Sequence, residues 1–168
     1  HSKLFCLFDC GSSALGDRIK LARRIKLTLE YDGTDFKGWQ TQSGLTPGEN
    51  DAAVRTVQGA VEYALRIATG HSIRIAGASR TDAGAHASGQ VASLLLPDEV
   101  ALPTNQLCHA INSHLAKDVS IIRAEEVDLN FHAQRVATVK IYSYSIFSRY
   151  ERPAQLRRAH WHMRFALD

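Results

Sequence analysis

Gly77-Ala78-Ser79-Arg80-Thr81-Asp82-Ala83-Gly84-Ala85-His86 is a polar, glycine-bracketed stretch between two apolar alternating runs, Ile73 and Ile75 before it and Val91 to Leu96 after it. Such a switch of pattern marks where one strand ends and the chain turns, so the stretch reads as a loop at a sheet margin. Sites are commonly built on loops of this kind. Gly77 and Gly84 let the backbone bend or come close to a ligand. Arg80 and Asp82 stand one residue apart, and the dipeptide spacing alone fits either a surface ion pair in a turn or a functional pair.

Working outward, Ile25, Leu27, Leu29 and Tyr31 alternate with Lys26, Thr28 and Glu30, the pattern of a strand with one buried face. Asp32-Gly33-Thr34 closes it in a turn. Trp39, in the aromatic stretch after the turn, reads as a packing residue rather than a base-stacking platform, and 43–50 as a flexible polar insertion. Thr56 caps a helix with apolar positions Val57, Val61, Ala64, Leu65 and Ala68 and a stop at Gly70. Strands over 72–78 and 89–96 flank the central loop, Pro103 opens a second helix through Leu115, and a strand runs from Val119 to Glu125. After the Phe131-His132-Ala133 segment, the alternating run Thr138 to Phe147 reads as a long strand. The order β-α-β-β-α-β-β predicts an α+β fold, an antiparallel sheet with helices packed on one face around a ferredoxin/RRM-like βαββαβ core. In the last predicted strand Lys140, Tyr142 and Tyr144 share one side, either half-exposed packing or a stacking and phosphate-contacting surface.

The chain has 168 residues, enough for one domain with a proper core. We divide it into a basic leader over 1–24, an α/β-sandwich domain over 25–148 and a linker over 149–168. With 45% hydrophobic and 22% charged residues the composition is that of an ordinary globular protein. The net charge of +3 predicts no partner, but cations cluster at Arg18, Lys20, Arg23, Arg24 and Lys26 and again at Arg149, Arg152, Arg157, Arg158 and Arg164. Such runs are solvated faces or a footprint for a polyanion. Cys6, Cys10 and Cys108 support neither a disulfide framework nor a zinc knuckle, which fits a reducing compartment. The histidines lack metal-ligand spacing, so no metal is expected. No apolar run approaches the roughly 20 residues of a bilayer span, and no membrane association is expected.

Ser79-Arg80-Thr81-Asp82-Ala83-Gly84-Ala85-His86 resembles the active-site loop of the tRNA pseudouridine synthase A (TruA) family. Three further stretches agree in the expected order: Glu30-Tyr31-Asp32-Gly33 with Gly38-Trp39-Gln40, then Thr56-Val57-Gln58, then Phe131-His132-Ala133 with Ala137-Thr138 and Tyr142-x-Tyr144. Four ordered matches are specific where one is not. The resemblance implies the N-terminal catalytic subdomain of an enzyme that isomerises uridine to pseudouridine in the anticodon stem-loop of tRNA. It also implies a homodimer and no cofactor, in an intracellular setting for which the cytoplasm is expected first, with nucleus or organelle as the alternatives.

That chemistry calls for an ionised carboxylate in a pocket closed to water and a stacking surface for an extruded base. The resemblance assigns the nucleophile to Asp82, with Arg80 and Tyr142 in support. A guanidinium beside the carboxylate favours its charged form. It places Lys140, Tyr144, His132, Arg135, Gln40 and His86 on the RNA-binding surface, the two histidines orienting loops rather than transferring protons. This chain departs from the family pattern in four places. Ser79 replaces a glycine, Gln134 stands where an arginine is usual, Lys140-Ile141 replaces a basic pair, and Asn112-Ser113-His114-Leu115-Ala116 is a weakened Asn-x-Asn-Leu-Pro. The family's second half has no counterpart after Asp168, so we expect a catalytic half that alone turns over poorly and leaves apolar surface exposed. The rival readings are a non-catalytic RNA-binding module on the same fold and an assembly domain with a fortuitous loop.

Overall fold

The structure is a computed structural model that describes residues 22–41 and 55–165. The leader up to residue 21, the 43–50 insertion, Cys6 and Cys10 lie outside the described residues. β1 (Arg23–Tyr31) is followed by a 3-10 turn (Gly33–Asp35), α1 (Val57–Thr69), β2 (Ile75–Gly77), β3 (Ala87–Leu96), α2 (Thr104–Asn112) and β4 (Val119–Val127). The sheet order is β2-β3-β1-β4 with every pair antiparallel. This is the βαββαβ core expected from the pattern of elements.

The sheet divides its residues by period two. Ile25, Leu27, Leu29 and Tyr31 are buried, and their partners Leu94, Ala92, Ile121 and Val119 are buried with them. On the opposite side Lys26 pairs with Glu125 at 3.0 Å in half-exposed surroundings. The two long helices, α1 and α2, cover the first face. α1 contributes Val57, Val61, Ala64 and Leu65, spaced to form one apolar stripe, and α2 contributes Leu107 and Ile111. Each of these Val, Leu and Ile side chains, fully buried, stabilises the fold by roughly 1.5–3 kcal/mol.

Element ends follow local chemistry. The Thr56 hydroxyl accepts the Gly59 N–H at 3.2 Å, and Gly70 takes a left-handed conformation, its N–H closing on the Arg66 carbonyl. Asn112 at the end of α2 exchanges two hydrogen bonds with the Ile121 backbone, at 2.8 and 2.9 Å, and so ties helix to strand.

The expected strand from Thr138 to Phe147 does not form. Residues 137–145 run without a ladder, and Val139, Ile141, Tyr142 and Tyr144 are 65–89% exposed. Only β5 (Ile146–Ser148) pairs, in parallel, with β6 (Trp161–Met163), so the stretch read as a linker over 149–168 carries a strand. Alternation records the potential to bury one face, but a strand also needs a neighbour for its N–H and C=O groups. Among the described residues this run has none, and Lys140, Tyr142 and Tyr144 therefore do not share a strand face. The Phe131-His132-Ala133 segment instead opens a short helix, α3 (Ala133–Val136). The Ala133 N–H donates to the buried Ser93 hydroxyl at 3.1 Å, which brings α3 onto the sheet face opposite the long helices.

Candidate active site

The Gly77–His86 loop lies where β2 hands over to β3, and it is held from four directions. The segment after the 3-10 turn runs alongside it: Trp39 N–H donates to the Thr81 carbonyl at 3.0 Å, and Gly84 N–H to the Phe36 carbonyl at 3.2 Å. Two glycines make this approach possible. A Cβ on Gly33 would fall 1.9 Å from the Ala85 carbonyl oxygen, and one on Gly38, whose φ is +90°, 2.6 Å from that of Thr81. From below, the buried Tyr31 hydroxyl meets the Thr81 hydroxyl at 2.8 Å. Burial holds the Tyr31 phenol above its usual pKa against the opposing hydrogen bonds from Thr81 and Gln90, so it stays neutral. From β3, the buried Gln90 amide donates to the Ser79 carbonyl at 2.7 Å.

The fourth hold comes from α1. Gln58 and Glu62 lie one helical turn apart, and the Gln58 amide donates to the Glu62 carboxylate at 2.9 Å and to the Ile75 carbonyl at 3.1 Å. Glu62, only 3% exposed, also accepts the Ile75 N–H at 3.0 Å and pairs with Arg74 at 3.2 Å. A buried carboxylate is tolerated because its oxygens are fully engaged. The strand leading into the loop is thus fastened to the start of α1. Gln58 and Trp39 are joined as well, through the Gln58 N–H to the Trp39 carbonyl at 3.0 Å.

These contacts shape an open pocket of about 480 Å³. Lys37, Trp39, Gln40 and Thr41 line it from the segment after β1, and Arg80, Thr81, Asp82 and Ala83 from the loop. Trp39 is 3% exposed, a packing residue as its size suggested. Asp82 and Arg80 are exposed, and the Asp82 carboxylate forms no hydrogen bond or ion pair with any described residue. It is not the cap of a turn. A carboxylate left free beside a guanidinium and a lysine is available to an incoming group.

Of the residues singled out from the sequence, Asp82, Arg80 and Gln40 meet in this pocket. Tyr142 stands at its flank, its hydroxyl 3.1 Å from that of Ser79. His86 is engaged elsewhere: its Nδ1 lies 3.2 Å from Asp32 and its Nε2 2.6 Å from the Arg158 carbonyl. Asp32 is held below the usual carboxylate range by its hydrogen bonds from Thr34, then by His86 and Arg158. His132 occupies the N-cap position of α3 without a side-chain hydrogen bond there, Arg135 is exposed on that helix, and Lys140 and Tyr144 are exposed on the unpaired run. Sequence reasoning passed over Lys37 and Thr41 as lining residues, and Tyr31, Gln58, Glu62 and Gln90 as the residues that hold the loop. A charged residue on the apolar stripe of α1, one turn after Gln58, was the available signal for Glu62.

A family model described as tRNA pseudouridine synthase matches residues 28–134, which contain every residue that lines the pocket. The chain belongs to the tRNA pseudouridine synthase family. It is 40% identical over 146 residues to the tRNA pseudouridine synthase A of Clostridium botulinum (strain Alaska E43 / Type E3), covering 87% of this chain and 55% of that protein. It is 44% identical over 122 residues to the tRNA pseudouridine synthase A of Brachyspira hyodysenteriae, covering 73% and 45%. For the tRNA pseudouridine synthase A of Acetivibrio thermocellus the identity is 38% over 146 residues, covering 87% and 55%. The chain thus spans about half the length of the curated relatives it matches. In this member of the synthase family the matched region ends at α3, before the unpaired run that carries Tyr142. Among the described residues no helix is long and apolar enough to cross a membrane.

Proposed function

We propose that this chain carries the catalytic site of a tRNA pseudouridine synthase that isomerises uridine in the anticodon arm, with Asp82 as the nucleophile. The observation that carries the reading is the free Asp82 carboxylate in a nucleobase-sized pocket beside Arg80 and Gln40. In the reaction the bond from C1′ of the ribose to N1 of uracil breaks while the Asp82 carboxylate adds to the nucleotide. The base then turns, C1′ bonds to C5, the carboxylate is released, the C5 proton leaves and N1 gains one. Nothing is oxidised or reduced and the composition is unchanged. Arg80 holds a phosphate or the space left by the flipped nucleotide. Tyr142 stacks on the base from the flank. The exposed Lys140, Tyr144 and Arg135 extend the RNA surface, the active form is a homodimer, and the setting is intracellular, in the cytoplasm.

The test is Asp82→Asn in the full-length protein, assayed by tritium release from C5-labelled uridine in a tRNA transcript. We expect turnover to fall at least roughly a thousandfold, with tRNA affinity within about twofold of wild type. Wild-type activity in the variant refutes the nucleophile assignment. A wild-type protein that binds tRNA without releasing tritium is a binding module instead.

A further inference from the structure

The pocket beside Asp82 holds a second cation that the isomerisation leaves without a task. Lys37 comes from the segment after β1, whereas Arg80 comes from the loop, and both line the same cavity. The backbone at Lys37 is pinned on both sides. Phe36 is 2% exposed, the Lys37 N–H donates to the Arg55 carbonyl at 2.8 Å, and Trp39 is bonded to Thr81. The backbone is therefore anchored while the Lys37 side chain remains exposed.

Its ammonium has no acid of its own among the described residues. The acids around this segment are taken: Asp32 by His86 at 3.2 Å and Arg158 at 3.7 Å, Asp35 by Arg158 at 3.9 Å, and Asp118 by Arg55. The lining thus carries two cations, Lys37 and Arg80, against the single carboxylate of Asp82. A nucleotide seated in a chain of RNA is flanked by two phosphates, one on each side. Two cations on separate segments match that charge pattern, and a compact ammonium on a flexible stem serves as a point contact for phosphate.

We propose that Lys37 is a backbone-phosphate contact for the RNA strand whose uridine is seated at Asp82, a binding residue rather than a participant in the isomerisation. This rests on the reading of the pocket as the uridine site. Phosphate contacts add affinity through counterion release, so each one contributes to the steepness with which binding weakens as salt rises. They position the strand and leave the chemical step alone.

The test compares Lys37→Gln and Lys37→Arg with Lys117→Gln, an exposed lysine beyond α2 outside the pocket, in the full-length protein with an unmodified tRNA transcript. Binding is measured across a salt series and turnover at saturating tRNA. For K37Q we expect a Kd raised roughly five- to tenfold. Its slope of log affinity against log salt should be shallower by roughly 0.7–0.9, with kcat within about twofold of wild type. K37R retains both affinity and slope, and K117Q matches wild type. An unchanged slope in K37Q, a loss that K117Q shares, or a kcat that falls while Kd holds overturns the proposal. Asp82→Asn in parallel separates the two levels. If D82N is inactive and K37Q is silent, only the phosphate contact fails. If D82N is active, the uridine-site reading fails whatever Lys37 does.

Discussion

Gly33→Ala is a small change at a buried position in the turn after β1, with a large expected effect on turnover. The added Cβ would sit 1.9 Å from the Ala85 carbonyl oxygen and 2.5 Å from its carbon. Both are backbone atoms of the loop, so no side-chain rotation relieves the overlap. Restoring an ordinary contact near 3.4 Å moves one backbone past the other by about 1.5 Å. The shift reaches the backbone that carries the carboxylate, because Ala85 N–H donates to the Asp82 main-chain carbonyl at 3.2 Å. Overpacking of this kind costs roughly 1–3 kcal/mol, which a domain with 5–15 kcal/mol of stability survives folded. A displacement of about 1 Å in a reacting group costs on the order of a hundredfold in rate. The comparator is Gly70→Ala, whose φ of +75° strains any other residue but whose Cβ meets nothing within 4 Å. It loses roughly 1–2 kcal/mol through the left-handed conformation alone and leaves the loop in place. Urea melts give the two stabilities and single-turnover pseudouridine formation gives the two rates. We expect a rate about a hundredfold down in G33A and unchanged in G70A. A G33A rate within about threefold of wild type, or an equal loss in G70A, refutes the reasoning.

Two further outcomes follow from single contacts. Among the described residues, Tyr142 hydroxyl to Ser79 hydroxyl is the one hydrogen bond made by residues 137–144 to the rest of the protein. Ser79→Ala should therefore lower kcat/KM by up to about tenfold, the worth of a bond of roughly 0.5–1.5 kcal/mol. The S79A/Y142F double variant should then be no slower than Tyr142→Phe alone, and additive losses would remove the contact from consideration. The other is Asp118, which Arg55 holds below its ordinary value of 3.8 through a paired hydrogen bond. A group whose pKa is lowered by folding contributes stability above its unfolded value and loses it as pH falls through the folded one. Urea midpoints taken between about pH 6 and 2.5 should fall in wild type below about pH 4. They should fall less steeply in Asp118→Asn, the remaining slope coming from carboxylates such as Asp32. Parallel acid limbs in the two proteins would show the pair to be irrelevant.

Much of the fold was legible because its signals are local. Thr56 and Gly70 mark the ends of α1 by cap chemistry that involves only neighbouring backbone, and the alternation of Ile25 to Tyr31 states which face of β1 is buried. The Thr138 to Phe147 run shows the limit of the same reasoning. Its alternation is as regular, yet pairing is a relation between two segments, and none of the described segments lies alongside it. The candidate site divides in the same way. Arg80 and Asp82 were readable from a motif a few residues long. Glu62, Gln90 and Tyr31, which hold that motif, act through contacts with segments distant in sequence, and no local pattern marks them for that role.

The one-dimensional pattern by itself determined the alternation of elements, the sheet's buried face and the identity of the loop, since periodicity and caps act over a few residues. Only the tertiary structure decided which carboxylate stays unpartnered. Asp32, Glu62, Asp118 and Asp82 are chemically alike, and folding brings Arg, His or amide donors to the first three while Gly33 and Gly38 admit a backbone that leaves the fourth open to the pocket.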